Sequence, residues 1–238
     1  MSRHVTLVTG VSRGIGLATA RRLAADGHHV IGLSRSAPPA GTPCEFHEAD
    51  LADAAGTDAL LREITGRHQI TGLVNNAGVP VPDKAGEVTL DGFAQVIAVN
   101  LRAALQCMQA CLPAMRAAKY GRIVNISSRA ALGKAERNVY AASKAGIIGL
   151  TRTWALELGA DGITVNAVAP GPVVTELYER NNSEELIRRT AEAMPLRRLG
   201  RPEDIASVIA FFMGPDSSFV TGQTLYACGG MSVGQAPI

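Results

Sequence analysis

Tyr140 and Lys144 lie one turn apart on a predicted helix, so their side chains could act together on a proton. Residues four positions apart share one face of a helix. A phenol with a pKa of about 10 is a poor base at neutral pH, but a neighbouring ammonium favours the phenolate. Tyr140 could then take a proton from an alcohol or give one to a carbonyl. Ser127 precedes Tyr140 at the end of a predicted strand, where its hydroxyl could hold the substrate oxygen.

The pair alone would be weak evidence, because such pairs are more common on helix surfaces. A glycine-rich loop between the first predicted strand and the following helix strengthens it. Glycines allow a tight turn and a close approach to a pyrophosphate, while the helix N-terminus offers N–H donors. The alternative is a purely structural turn. The loop residues predicted to bind a dinucleotide are Gly10, Ser12, Arg13, Gly14, Ile15 and Gly16.

The end of the second predicted strand bears on the choice between NAD(H) and NADP(H). A carboxylate at this point would bind the ribose 2′-OH and repel a 2′-phosphate. The sequence instead has Ser34, Arg35 and Ser36, and Arg13 lies in the glycine loop. Guanidinium groups form charge-assisted bonds with phosphate. The sequence therefore favours NADP(H) over NAD(H), unless both arginines are simply solvated surface residues.

Strands and helices alternate along the chain, which predicts parallel strands joined by right-handed crossovers. Near-continuous apolar strands, such as Gly121–Ser128, suit a sheet covered on both faces. Residues 1–238 are expected to form one α/β domain, with a long helix over 89–118 and helical segments over 174–193 and 202–213. The polar stretch 175–200 is a candidate substrate lid, or equally a solvated helix pair.

Composition limits the classes of partner. The net charge of +2 gives no reason to expect nucleic acid or an anionic membrane. No run of about 18 apolar residues indicates a transmembrane helix, and the N-terminus does not resemble a signal peptide. The four cysteines form no CxxC pair and have no histidine at zinc spacing, so no metal site is predicted. This cysteine usage fits a reducing cytoplasm.

The glycine loop, the stretch Asn75–Gly78 and the Tyr140/Lys144 pair together resemble the motifs of the short-chain dehydrogenase/reductase family. The resemblance implies a Rossmann-type doubly wound parallel sheet of about seven strands in the order 3-2-1-4-5-6-7. It also implies a catalytic tetrad of Asn100, Ser127, Tyr140 and Lys144. In the family, the asparagine interrupts the long helix and holds a water that links the lysine to solvent, and the lysine also bonds the nicotinamide ribose.

The same resemblance implies further cofactor contacts. Ile15 would donate a backbone N–H to the phosphates, and Asp50 would contact the adenine amino group. The remaining implied contacts are Leu51, Asn76, Ala77, Gly78, Tyr140, Lys144, Pro170, Gly171, Val173 and Thr175. A homotetramer is also expected, with the long helices packed pairwise and the C-terminal strand at another interface.

The stretches Gly121–Val124, Gly162–Asn166 and Val220–Leu225 resemble 3-oxoacyl-[acyl-carrier-protein] reductases. In that group, basic residues dock the acidic carrier, and Arg122 matches one of them. Asp161 stands where the second should be, and Cys228 replaces the usual acidic residue or asparagine before the terminal Gly-Gly. The expected substrate is therefore a small carbonyl or alcohol, with a carrier protein doubtful.

Arg129 and Lys134, between Ser127 and Tyr140, could favour a substrate bearing a carboxylate or phosphate, or could be solvated loop charges. Three other functions remain open. A cofactor-binding protein without catalysis would have no need of the tetrad. An epimerase or dehydratase would need a larger substrate region than follows Gly171. An NAD-preferring catabolic alcohol dehydrogenase would differ mainly at Ser34 and Arg35.

Overall fold

Seven parallel strands form the centre of the protein. The computed structural model describes residues 4–180 and 182–233. The sheet order is β3-β2-β1-β4-β5-β6-β7, as expected. The strands are β1 (Val5–Thr9), β2 (His29–Ser34), β3 (Glu45–Glu48), β4 (Ile70–Asn75), β5 (Gly121–Ile126), β6 (Ile163–Val168) and β7 (Thr224–Leu225). Every residue of β5 and β6 is buried, as suits the centre of a parallel sheet.

Helices cover both faces of the sheet. They are α1 (Gly14–Ala25), α2 (Ala54–Arg67), α3 (Leu90–Ile97), α4 (Ala103–Ala118), α5 (Asn138–Leu158), α6 (Glu176–Arg180), α7 (Glu184–Ala193) and α8 (Pro202–Met213). One core cluster joins the sheet to α2, α4 and α5 through residues such as Leu61, Cys107 and Trp154. A second joins the opposite face to α1 and α8 through Leu23 and Ile209.

The long helix predicted over 89–118 is interrupted. A π-helical segment, Ala98–Arg102, separates α3 from α4, and it contains Asn100. The combined helix Leu90–Ala118 is long and apolar enough, judged by length and composition alone, to cross a membrane. However, Cys107, Cys111 and Met115 on one side of it are fully buried against the sheet. In this structure the helix is therefore a layer of the core.

Two other predicted elements differ from the structure. The helical stretch 174–193 is divided into α6 and α7, because Ser183 caps α7 with its hydroxyl oxygen 3.3 Å from the N–H of Leu186. The last strand is only two residues long. Asp53 caps α2, since its carboxylate accepts from two backbone N–H groups of the first turn.

Candidate active site

The glycine loop between β1 and α1 is built for close approach to its surroundings. Gly10 and Gly14 adopt φ angles of +77° and +56°, which disfavour other residues. A side chain at position 16 would collide with the carbonyl oxygen of Gly10. No side chain caps the N-terminus of α1, and its first turn has no acidic residue. Its N–H groups therefore remain suited to an anion such as a pyrophosphate.

Asn76 ties this loop to the end of β4. Its side-chain amide donates to the carbonyl of Thr9 at 2.8 Å and to that of Gly10 at 3.3 Å. The Thr9 hydroxyl in turn accepts from the backbone N–H groups of Asn76 and Ala77, each at 3.0 Å. The stretch after β4 thus holds the glycine loop in place while lying beside it.

A cleft extends from the glycine loop along the carboxyl ends of the strands. Fourteen predicted residues line it: Gly10, Ser12, Arg13, Gly14, Ile15, Gly16, Ser34, Arg35, Ser36, Leu51, Asn76, Ala77, Gly78 and Thr175. The other six predicted cofactor contacts are not in its lining: Asp50, Tyr140, Lys144, Pro170, Gly171 and Val173. Residues that the sequence reasoning missed include the apolar Leu33, Ala49, Val79 and Val99. Leu33, Ala49 and Val79 lie at or beyond strand ends, and Val99 adjoins Asn100 in the π-helical segment, so position in the chain was their only sequence signal.

The far end of the cleft, beside β2, is exposed and contains cations. Arg13, Arg35 and Ser36 are exposed, whereas Ser34 is buried and its hydroxyl donates to the carbonyl of Ser36 at 2.9 Å. None of the described residues lining this cleft is acidic. The nearby Asp50 is exposed, and its Oδ1 accepts from the N–H of Ala52 at 3.0 Å. Together with the open N-terminus of α1, this donor set fits a phosphorylated dinucleotide.

Lys144 and Tyr140 both lie on α5, at the inner end of the site. Lys144 is buried, and its Nζ donates to the carbonyl of Ile126 at 2.7 Å. The same Nζ lies 5.8 Å from the centroid of the Tyr140 ring. A Cβ atom on Gly78 would come within 3.3 Å of this Nζ and 3.4 Å of the Asn100 Oδ1. Because Gly78 has no side chain, the space next to the Lys144 Nζ and the Asn100 Oδ1 stays open.

Asn100 is held by protein groups on both ends of its side chain. Its Oδ1 accepts from the N–H of Val79 at 2.9 Å, and its Nδ2 donates to the Ser143 Oγ at 2.9 Å. The Ser143 hydroxyl donates to the carbonyl of Tyr140 at 2.7 Å. The asparagine thus links the π-helical segment to the first turn of α5. The water expected beside it stays a prediction.

The serine assignment needs a correction. The Ser127 hydroxyl donates to the carbonyl of Lys144 at 2.6 Å, and the residue is only 2% exposed. The hydroxyl that hydrogen-bonds the Tyr140 phenol belongs to Ser128 instead. Side chains alternate in direction along a strand, so Ser127 shares the α5 side with Asn125, whose amide donates to Thr151 of α5 at 2.9 Å. The neighbouring Ser128 turns toward the tyrosine and caps a 3-10 helix, Arg129–Leu132.

The expected effect of Lys144 on Tyr140 is also different in the structure. Burial raises the pKa of Tyr140, and the Ser128 hydrogen bond and the charge of Arg137 lower it only in part. Burial also lowers the pKa of Lys144 to about 8. The phenol is therefore protonated at neutral pH, and the lysine still carries most of its charge.

Basic side chains surround the approach to Tyr140. Desolvation lowers the pKa of Lys134, and the charges of Arg137 and Arg129 lower it further, which shows that these three groups lie close together. Arg129 is anchored by its backbone N–H, which donates to the carbonyl of Pro170 at 2.9 Å. The exposed Asp83 accepts from the backbone and side chain of Asn138 and is the carboxylate near Arg137. These cations place positive charge near Tyr140, and Asp83 and the exposed Glu136 offset part of it.

The carrier-docking prediction for Arg122 does not agree with the structure. Arg122 is 6% exposed, its Nη1 donates to the carbonyl of Gly121 at 2.9 Å, and its guanidinium lies 4.3 Å from the Tyr120 ring centroid. Asp161 accepts from Arg116 at 2.9 Å and Lys119 at 2.7 Å, and these bonds lower its pKa. A buried arginine cannot receive an acidic carrier, and Asp161 is half-buried and paired with two exposed cations.

The chain is similar over nearly its whole length to known oxidoreductases. A sequence model of the family described as enoyl-(acyl carrier protein) reductase matches residues 10–232. The (2S)-[(R)-hydroxy(phenyl)methyl]succinyl-CoA dehydrogenase subunit BbsD of Thauera aromatica is 39% identical over 248 residues, covering 98% of each chain. The 3-oxoacyl-[acyl-carrier-protein] reductase of a Synechocystis strain is 38% identical over 245 residues, covering 97% of this chain and 98% of the relative.

Solved structures agree with these relatives. A protein from Beutenbergia cavernae, assigned as an NAD(P)-dependent gluconate 5-dehydrogenase and solved with NADP bound at low occupancy, has a TM-score of 0.89 at 35% identity. The alignment covers 95% of this chain and 96% of that one. These similar proteins share a fold but have different substrates, so the substrate has to be argued from the site.

Proposed function

The chain belongs to the short-chain dehydrogenase/reductase family and acts on CH–OH groups, and from this premise we propose that it is an NADP(H)-dependent reductase of 3-oxoacyl thioesters. The observation that carries the proposal is the grouping of Ser128, Tyr140 and Lys144 beside Gly78, which lines a cleft where no described lining residue is acidic. In this reaction a ketone becomes a secondary alcohol, or the reverse.

Each residue has a part that its geometry supports. The bound nicotinamide would supply or accept the hydride. Tyr140, protonated at neutral pH, gives its phenolic proton to the oxygen of the carbonyl undergoing reduction. Ser128, in contact with that phenol, holds the same oxygen. Lys144 keeps a positive charge near the phenolate that remains.

The cofactor preference rests on charge at the far end of the cleft. Arg13 and Arg35 can bind the 2′-phosphate, while the open N-terminus of α1 and the glycine loop hold the pyrophosphate. No acidic side chain among the described lining residues would repel that phosphate. The gluconate 5-dehydrogenase structure with bound NADP is consistent with this preference.

The thioester is more consistent with coenzyme A than with a carrier protein. Burial of Arg122 removes one cation expected to dock a carrier, and Asp161 stands where the second is expected. In contrast, Arg129, Lys134 and Arg137 place positive charge at the mouth, where phosphates of coenzyme A or a substrate carboxylate could bind. The Thauera relative, whose name specifies a succinyl-CoA compound, fits this assignment.

The deciding experiment is a panel of carbonyl substrates measured with NADPH and NADH in parallel. The panel contains a 3-oxoacyl-CoA, the same acyl group on a carrier protein, a neutral truncated thioester, a simple ketone and a keto-sugar acid. The highest kcat/KM is expected for the CoA ester with NADPH. Higher values for the keto-sugar acid or the simple ketone, or a preference for NADH, would instead support a catabolic alcohol dehydrogenase.

Arg129→Ala tests the anionic part of the substrate. It should raise KM for the CoA ester and leave KM for the neutral truncated thioester nearly unchanged, because only the former carries phosphates. Arg62→Ala, which removes an exposed arginine of α2, is the matched control. Equal effects on both substrates would show that Arg129 does not contact an anion.

The homotetramer and the cytoplasmic location expected from the sequence also remain predictions.

A further inference from the structure

Histidines are concentrated around one carboxylate near the amino-terminal ends of β2 and β3, at the end of these strands remote from the cleft. The chain has five histidines, and three of them, His29, His47 and His68, contact the side chain of Glu45. None of these four residues lines the cleft. The proposed reductase function therefore leaves this cluster unexplained.

Three separate elements bring the cluster together. His29 begins β2, Glu45 begins the edge strand β3, and His68 ends α2. In the strand register Ile31 is opposite Glu45, so His29, two residues earlier, shares the face of β2 that Ile31 presents to α2. Glu45 and His47 share the corresponding face of β3. The C-terminus of α2 then covers this corner and adds His68.

The ring nitrogens point at the carboxylate. The Nε2 of His29 lies 3.0 Å from Oε2 of Glu45, and the Nε2 of His68 lies 3.2 Å from Oε1. The ligand atoms of His29, Glu45 and His68 all lie within 4.8 Å of one another. The rings of His29 and His68 are stacked, with centroids 5.4 Å apart. The Nε2 of His47 also reaches Oε1, at 3.0 Å.

We propose that His29, Glu45 and His68 form a binding site for a divalent transition-metal ion, with Zn²⁺ as the best match. Two imidazole nitrogens and one carboxylate make a donor set that zinc uses in proteins, with a fourth position left for water or another ligand. His47 is close enough to hold the Glu45 carboxylate as an outer hydrogen-bond partner.

Charge and access both favour a cation here. The Glu45 carboxylate contacts all three imidazoles and is the anionic side chain of the cluster. The C-terminal end of α2, where His68 lies, carries the negative end of the helix dipole. The four side chains are between 19% and 34% exposed, so an ion could enter from solvent.

A bound ion would act as a structural clamp. It would fasten the edge strand β3 to β2 and to α2, at the end of the strands remote from the cofactor cleft. The chain leaves β3 toward Ala49 and Leu51, which line that cleft. Zinc should therefore raise the thermal stability of the protein without being required for turnover.

Equilibrium dialysis of the full chain with Zn²⁺ tests the proposal, using protein purified without a histidine tag and freed of metal with a chelator. One zinc per chain is expected, with a rise in melting temperature that added chelator reverses. Glu45→Gln and His68→Ala should each abolish both effects. His47→Ala should weaken binding by about 10–100-fold, as loss of an outer hydrogen-bond partner does.

Two control variants separate the site from other zinc-binding groups. His4→Gln removes an imidazole outside the cluster. Cys44→Ser removes the thiol of the residue before Glu45. The Sγ of Cys44 packs toward Gly32 on the opposite face of the sheet. Both variants should bind zinc as the unmodified chain does. Unchanged binding in Glu45→Gln and His68→Ala, or loss of binding in Cys44→Ser, would overturn the assignment.

Crystals of the unmodified chain grown with Zn²⁺ keep the test independent of whether the variants fold. Anomalous scattering should show one zinc peak between His29, Glu45 and His68. A peak elsewhere, or none at this cluster, would show that the four residues form only a hydrogen-bonded network.

Discussion

The two ends of the cleft are built in opposite ways. At the catalytic end, Asn100, Ser127 and Lys144 are each less than 5% exposed and bond to protein groups at 2.6–2.9 Å. At the far end, Arg13, Arg35 and Ser36 are exposed to solvent. The first end depends on fixed geometry, while the second depends on charge that water and salt can screen. Substitutions should therefore cost far more at the catalytic end.

Tyr140→Phe should give the largest effect. It removes the only group placed here as the proton donor, so kcat for ketone reduction should fall by about 10²–10⁴, the usual contribution of a general acid. The measurement is steady-state turnover with NADPH, with circular dichroism and cofactor affinity as controls. Near-normal turnover in a folded variant that binds cofactor would remove the phenol from the mechanism.

A pair of serine variants sharpens the distinction between neighbouring residues at the same end. Ser128→Ala should lower kcat by about 10²–10³, the cost of losing one donor to the reacting oxygen. Ser127→Ala should mainly cost stability, by about 1 kcal/mol, because its hydroxyl bonds the backbone of α5. The measurements are kcat and the free energy of unfolding, from chemical denaturation, for both variants. The reverse pattern would restore Ser127 as the substrate-binding serine.

The pH dependence tests the charge on Lys144. Its pKa is lowered to about 8, so the ammonium is present below that pH and is lost as pH rises through it. The rate of ketone reduction should therefore decline above about pH 8. Lys144→Met should be slower at every pH and should lack this particular decline. If the rate of Lys144→Met also falls above about pH 8, the decline belongs to another group.

The smallest effect is expected at the exposed end. Arg35→Ala should raise KM for NADPH about tenfold, the low end for a charge-assisted hydrogen bond, and leave KM for NADH almost unchanged. Added salt should weaken NADPH binding to the unmodified chain more than to the variant. An equal change for both cofactors would show that Arg35 does not bind the 2′-phosphate. Arg62→Ala serves again as the control for a general loss of positive charge.

Much of the fold and the cofactor cleft follows from local sequence. Fourteen of the predicted cofactor residues line the cleft, because the motifs that carry them are short and lie directly at strand ends. Asp50, Pro170, Gly171 and Val173 lie outside that lining although they follow strands in the same way. The direction of a side chain beyond a strand end depends on the loop that follows, and sequence patterns describe such loops poorly.

The choice between Ser127 and Ser128 shows the same limit more sharply. Ser127 and Ser128 are adjacent in the sequence, and either could precede Tyr140 at the end of a strand. A shift of one residue along a strand reverses the face to which a side chain points. In the structure Ser127 lies on the same side of β5 as Asn125, and both side chains bond to α5.

The sequence by itself determined the order of strands and helices, the glycine loop, and the Tyr140/Lys144 pair, because each depends on residues close together in the chain. Tertiary structure decided which serine meets the phenol, that burial raises the pKa of Tyr140, and that Arg122 is enclosed. It also brought His29, Glu45 and His68 together from three elements. Burial, side-chain direction and long-range contacts arise only when the elements pack, so no local pattern could supply them.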